Sequence, residues 1–200
     1  MAVFFTSDLH LGHRTVSEIR GFNSIKEHDS AVIKNLLKQV KVGDTLWILG
    51  DVAMGGWRDS IVPLMMLVAG YKVDAHVVLG NHDRPAPNNS NGHAYLSEFA
   101  TRGGFASVST VAKVSVEGRS LLMSHYPYGG DHTEEERYDQ FRLRDLGTTL
   151  LHGHTHADQR VSRSSNGTLQ IHVGLDAWGL KPVPLHQIKT IMEENNACSH

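Results

Sequence analysis

The chain has 200 residues, 40% of them hydrophobic, which suits one domain with a sizeable core and no need of disulfide or metal staples. Nineteen Lys and Arg against 21 Asp and Glu give a formal charge of -2, so the basic excess favoured by long nucleic acid or an anionic membrane is absent. No apolar run approaches the roughly 20 residues of a membrane span, the first residues lack a signal-like pattern, and the single cysteine, Cys198, excludes a disulfide framework and a thiolate zinc site.

Residues 3–5 are a short apolar run ending in Thr6, Ser7 and Asp8, the pattern of a buried strand entering a polar loop. Ser24 and Glu27 form a capping box, and Val32, Ile33, Leu36, Leu37 and Val40 recur at helical spacing, predicting an amphipathic helix that stops near Gly43. Residues 45–49 are a second apolar run, ending in Gly50-Asp51. Residues 61–69 are apolar nearly all round, which predicts a buried helix closed by Gly70. Residues 75–79 run into Gly80-Asn81-His82-Asp83, and Pro and Asn make residues 85–92 a loop. Further on, residues 106–108, 113–116, 120–123, 149–151 and 168–173 are short strand candidates with few helices between them. Residues 129–145 read as loop with one short helix, and residues 193–200 as a frayed polar tail. No repeat or linker divides the chain, so one domain over residues 1–200 is expected.

Five polar clusters follow these apolar runs: Asp8 and His10, Gly50-Asp51, Gly80-Asn81-His82-Asp83, His125, and Gly153-His154-Thr155-His156. Ligands of open α/β sheets bind beyond the carboxyl ends of the strands, so clusters far apart in sequence can converge there. In an extended segment the i, i+2 spacing of Asp8 with His10 and of His154 with His156 puts both members of each pair on one side. Two carboxylates, one amide oxygen and four imidazoles are too many for one tetrahedral ion and suit two ions about 3.5–4 Å apart. Asp51, alone on its loop, is the natural bridge. Such a pair supplies hydroxide at neutral pH and cancels phosphate charge, which is the chemistry of phosphoester hydrolysis.

In order and spacing these clusters resemble those of the calcineurin-like metallophosphoesterases, and residues 7–13, 20–22, 125–127 and 181–185 extend the resemblance to small bacterial and phage members. It implies an α/β fold of two β-sheets packed face to face and flanked by helices. It also implies that Asp8, His10 and His156 hold one metal, that Asn81, His125 and His154 hold the second, and that Asp51 bridges them. His82 is then the catalytic histidine, donating a proton to the leaving oxygen or a hydrogen bond to the phosphoryl group, with Asp83 orienting its other ring nitrogen.

The expected cofactors are two divalent transition-metal ions, manganese first, with iron, zinc, cobalt or nickel accepted by the same mixed nitrogen and oxygen ligands. The expected substrate is a small phosphodiester, such as a 2′,3′-cyclic nucleotide. A phosphomonoester or phosphoprotein substrate is the alternative, and a non-catalytic scaffold of the same fold is the rival from another class. His13 and Arg84 are candidates to face the phosphate, and Tyr126 and Trp178 to stack on a base. The other eight histidines, His28, His76, His93, His132, His152, His172, His186 and His200, have no assigned role; His152 should point away from the metals. No long nucleic acid or membrane is expected as partner, and the expected location is the cytoplasm, or a host's cytoplasm for a phage protein.

Overall fold

The computed structural model describes residues 1–131, 133, 135 and 137–197, so His132, Cys198 and His200 lie outside it. Side chains alternate across a strand, and that alternation sorts the apolar residues into two cores. In β1 (Val3–Thr6) Phe4 enters one cluster and Phe5 the other. In β2 (Thr45–Ile48) Leu46 and Ile48 lie opposite Trp47, and in β3 (Asp74–Val78) Ala75 and Val77 lie opposite Val78. These strands and β4 (Ser107–Ser109) run parallel, and β10 (Val183–Pro184) pairs antiparallel with β1, giving the order β10-β1-β2-β3-β4.

The second sheet is built from β5 (Ala112–Val116), β6 (Arg119–Met123), β7 (Leu150–His152), β8 (Val161–Arg163) and β9 (Leu169–His172), in the order β5-β6-β7-β9-β8. Here β6, β7 and β9 are parallel, with β5 and β8 antiparallel at the two edges. Phe5, Leu49 and Val78 share one buried cluster with Leu121, Met123, Leu151 and Ile171, so the sheets pack face to face. The opposite face of the first sheet packs on helices: Val32 and Leu36 from α2 (Ile25–Gln39), Leu64 and Leu67 from α4 (Val62–Tyr71), and Phe99 from α5 (Leu96–Gly103). The shorter α1 (Arg14–Ile19) and α3 (Trp57–Ser60) lie in the loops after β1 and β2, and α6 (Leu185–Ala197) adds Ile188 and Met192 to the inter-sheet core.

The Ser24 half of the capping box forms, Ser24 Oγ accepting from the Glu27 amide at 3.2 Å, while Glu27 Oε2 reaches one residue further back and accepts from the Asn23 amide at 3.1 Å. Two helix expectations are corrected. α4 runs through Gly70 and ends on Lys72 in left-handed conformation, and its Met66 is 65% exposed, because a helix lying on a sheet presents one side to water whatever its composition. Residues 193–197, read as tail, belong to α6. Among the described residues no helix is long and apolar enough to cross a membrane.

The topology brings the carboxyl ends of β1, β2 and β3 to the same edge as those of β6, β7 and β9. The loops there are knitted by backbone bonds: Asp8 N to Gly50 O (3.0 Å), Gly153 N to His125 O (2.9 Å) and Leu175 N to Ser7 O (3.2 Å). All five polar clusters therefore meet at one seam between the sheets.

Candidate active site

The first group that could hold a metal ion is Asp8, His10 and His156, with one ligand atom of each within 4.8 Å of the others. His10 Nε2 and His156 Nε2 are 3.2 Å apart, and His10 Nε2 lies 3.9 Å from Asp8 Oδ1. The second group centres on Asn81 Oδ1, which is 3.1 Å from His125 Nε2 and 3.0 Å from His154 Nδ1. His154 and His156, two positions apart in sequence, thus fall in different groups. Asp51 stands between the two: its Oδ2 is 3.5 Å from His10 Nε2 and 3.5 Å from His125 Nε2, while Oδ1 accepts the His82 amide at 2.9 Å. Asp8 also lies with Asp51 and His125 in a second triple of ligand atoms within 4.8 Å.

The pairs do not converge through extended backbone. Asp8, His10, Asp51, His154 and His156 all have positive φ, between 48° and 71°. Asp and His tolerate the left-handed region better than most residues, yet it carries strain on the order of 1–3 kcal/mol at each site. Five of the seven ligand candidates are thus held in unfavourable local conformations by the surrounding fold. Close approach also explains the motif glycines: a Cβ at Gly80 would collide with the Asp51 carboxylate, and one at Gly153 with Ser7 Oγ.

The protonation pattern calls for cations. His125 Nδ1 sits 2.8 Å from the Leu49 carbonyl, so that nitrogen carries a hydrogen, and in the neutral ring that a metal ligand must be, Nε2 presents a lone pair. That lone pair faces the oxygens of Asn81 and Asp51, all within residues at most 6% exposed. Buried electron-pair donors aimed at one another repel unless a cation lies between them. Burial pushes the Asp8 and Asp51 carboxyls toward the neutral form. Around Asp8 the imidazoles of His125, His156 and His10, in their protonated forms, outweigh it and hold the pKa low, whereas the Asp8 charge adds to burial at Asp51 and raises its pKa well above the usual range. Nitrogen and oxygen donors in this number fit divalent transition-metal ions.

His82 lies exposed at the edge of the imidazole cluster, its ring 5.5 Å from that of His10 and 6.0 Å from that of His13. Loss of solvation, then the neighbouring imidazoles of His13, His125 and His156, bring its pKa down to about 4. Asp83 does not orient it. That buried carboxylate instead accepts the amides of Gly80, Asp51 and Val52 at 2.8–3.0 Å and shapes the loops carrying the ligands. His13 Nδ1 lies 3.2 Å from His10 Nδ1, and both rings line a cavity of about 270 Å³ with Thr15, Val16, Ile19, Arg20, His82, His156 and Asp176.

The other proposed contacts lie elsewhere. The Arg84 guanidinium sits over the Tyr95 ring at 4.1 Å. Tyr126 is buried, edge-on to His125 and His154, and Trp178 donates its indole N–H to the His172 carbonyl with the Arg160 guanidinium 4.2 Å over its ring. None of the three lines the cavity beside His82. His152 belongs to neither of the ligand groups among the described residues and stacks on His172.

Two carboxylates absent from the sequence reading hold the paired histidines. Asp176 Oδ2 is 2.8 Å from His156 Nδ1, and Asp131 Oδ2 is 3.2 Å from His154 Nε2. Asp176 lies four residues beyond β9, in the short turn of residues 175–178, near enough to a strand end to have been sought there; Asp131, in a loop of mixed charge, had no such signal.

The model of the calcineurin-like phosphoesterase family matches residues 1–158. Two phage proteins are similar over most of their length. The Gene 66 protein of Mycobacterium phage L5 is 41% identical over 184 residues, covering 88% of this chain and 87% of that protein. The Gene 66 protein of Mycobacterium phage D29 is 39% identical over 198 residues, covering 96% of each. Among solved structures, a protein of unknown function from Aquifex aeolicus shares the fold, with a TM-score of 0.69 at 22% identity over 95% of this chain and 98% of that one.

Proposed function

The chain belongs to the calcineurin-like phosphoesterase family, and from that premise we propose that it is a binuclear metal-dependent phosphodiesterase of small phosphodiesters. The observation that carries the binuclear reading is the position of Asp51 Oδ2, 3.5 Å from one histidine of each ligand group. Two divalent ions held by Asp8, His10, Asp51, Asn81, His125, His154 and His156 would supply a water of lowered pKa and cancel charge on the phosphate oxygens. Manganese is the proposed metal at both positions.

The chain's own residues orient the ester. His82, neutral at pH 7 with its pKa near 4, is suited to donate an N–H to a phosphoryl oxygen rather than to act as a resting acid. His13 braces the ring of His10 from the cavity side. His82→Ala is expected to slow turnover roughly a hundredfold, the usual loss for one such donor, with metal content unchanged. The loss should be equal for p-nitrophenyl and alkyl leaving groups. A markedly smaller loss on the nitrophenyl ester would instead identify His82 as the acid that protonates the leaving oxygen.

The diesterase preference rests on charge. Arg20 is the sole arginine or lysine among the described residues lining the cavity, and its donors are engaged by Asp176, the Asp8 carbonyl and His28. A dianionic monoester finds no free cationic side chain there, whereas a diester carries one charge fewer and can lay its second ester group against Val16 and Ile19. For a 2′,3′-cyclic nucleotide, those apolar residues are the proposed wall for the base. The test is a competition series at fixed pH and metal between matched esters. A higher kcat/KM for the diester is expected; faster monoester cleavage would identify a phosphomonoesterase, and indifference to the base would remove the nucleotide assignment alone.

A further inference from the structure

A histidine ligand coordinates well only when its other ring nitrogen is held, because that contact fixes both the tautomer and the direction of the lone pair. For His156 the contact is Asp176 Oδ2, 2.8 Å from Nδ1, which leaves Nε2 facing His10. Asp176 is itself gripped. Arg20 Nε donates to its Oδ1 at 2.8 Å and Nη2 to its Oδ2 at 2.9 Å, a two-pronged pairing in which the Arg20 side chain is only 4% exposed.

The same guanidinium reaches the other end of the ligand set. Nη2 also donates to the backbone carbonyl of Asp8 at 2.9 Å, so one side chain joins the loop carrying Asp8 and His10 to the carboxylate holding His156. Nη1 lies 3.0 Å from His28 Nε2, and since arginine only donates, that nitrogen accepts and His28 Nδ1 carries the hydrogen. His28 Nδ1 then donates to Asp29 Oδ1 at 2.8 Å, and Asp29 Oδ2 accepts the Gly12 amide at 3.0 Å. The hydrogen bonds from Gly12 to His156 admit one consistent assignment of donors and acceptors, with Asp29 and Asp176 each accepting from both sides. A loop whose ligands sit at positive φ is thereby fastened at Asp8 and at Gly12, on either side of His10.

We propose that Asp176 and Arg20 are positioning residues of the metal centre, fixing His156 with Nε2 inward and locking it in register with Asp8 and His10. The proposal rests on the reading of His156 as a metal ligand. Arginine is required at position 20 because a lysine ammonium offers no planar fork to span a carboxylate and a carbonyl together.

The test is titration calorimetry of the metal-free protein with manganese chloride, followed by turnover at limiting and at saturating metal. Wild type is expected to bind two ions. Asp176→Asn and Arg20→Lys should each weaken one of them 10–100-fold, the usual range for losing such a contact, while the other ion keeps its affinity. Turnover of both variants should recover largely at saturating manganese, which a general loss of folding would not allow. Arg20→Lys keeps the charge and covers the case in which Asp176→Asn does not fold. Wild-type affinity for both ions in either folded variant overturns the proposal alone. Unchanged affinity in His156→Ala overturns the ligand reading and the proposal with it.

Discussion

Asp51→Asn is expected to lower turnover by roughly a thousandfold and to leave at most one tightly bound ion per chain. The amide has the shape of the carboxylate and removes its charge, and the Asp51 carboxylate, 3.5 Å from one histidine of each group, would be the charge best placed to offset the repulsion of two cations held by those groups. A deficit of about 4 kcal/mol in charge stabilisation corresponds to a factor of that size, at 1.36 kcal/mol per tenfold. The fold should persist, because Asn retains an oxygen to accept the His82 amide that Asp51 Oδ1 now takes. Asn81→Ala removes a neutral donor from one group only and should be the milder change. Metal analysis and steady-state rates on both folded variants check the order; two tightly bound ions and near-normal turnover in Asp51→Asn would show that another residue is the bridge.

Stripping the metals is expected to abolish hydrolysis and to lower thermal stability markedly. The ligand shell combines buried electron-pair donors aimed at one another, a repulsion that cations in the seam would relieve, with five residues at positive φ, whose strain the binding of those cations would offset. Ions present at a thousand times their Kd stabilise a folded protein by about 4 kcal/mol. At roughly 2–4 °C per kcal/mol for a chain of this length, chelation should drop Tm by about 8–16 °C. Calorimetric scans before and after dialysis against chelator, and again after manganese is restored, measure this. A chelated protein with unchanged Tm and unchanged rate would remove the metal centre from the account.

The candidate ligands are more legible in the sequence than the geometry that unites them. Each of the five clusters follows an apolar run, and the structure brings all of them to one seam, because parallel strands deliver their carboxyl ends to the same edge. The i, i+2 pairs looked like extended segments, since nothing in a tripeptide announces a left-handed residue held by tertiary contacts. That conformation is what sends His154 and His156 to different groups. The long helix α2 was legible from its cap and its stripe, whereas β8, β10 and α1 have too few residues to show a period. Asp83 beside His82 in sequence suggested a partner for that ring, but the fold turns it inward to three backbone amides. Arg20 and Asp176 lie 156 positions apart, and their pairing depends on the meeting of the two sheets, which local sequence does not record.

The central claim, that two ions acting together run the hydrolysis, is tested most directly by titrating the metal-free protein with manganese while recording bound metal and phosphodiester turnover on the same samples. Turnover is predicted to stay low through the first equivalent per chain and to rise with the second, reaching its plateau at two. Full turnover at one equivalent, or in fully metal-free protein, would contradict the account. Two bound equivalents without turnover on any phosphoester would show instead a scaffold that retains its ligands.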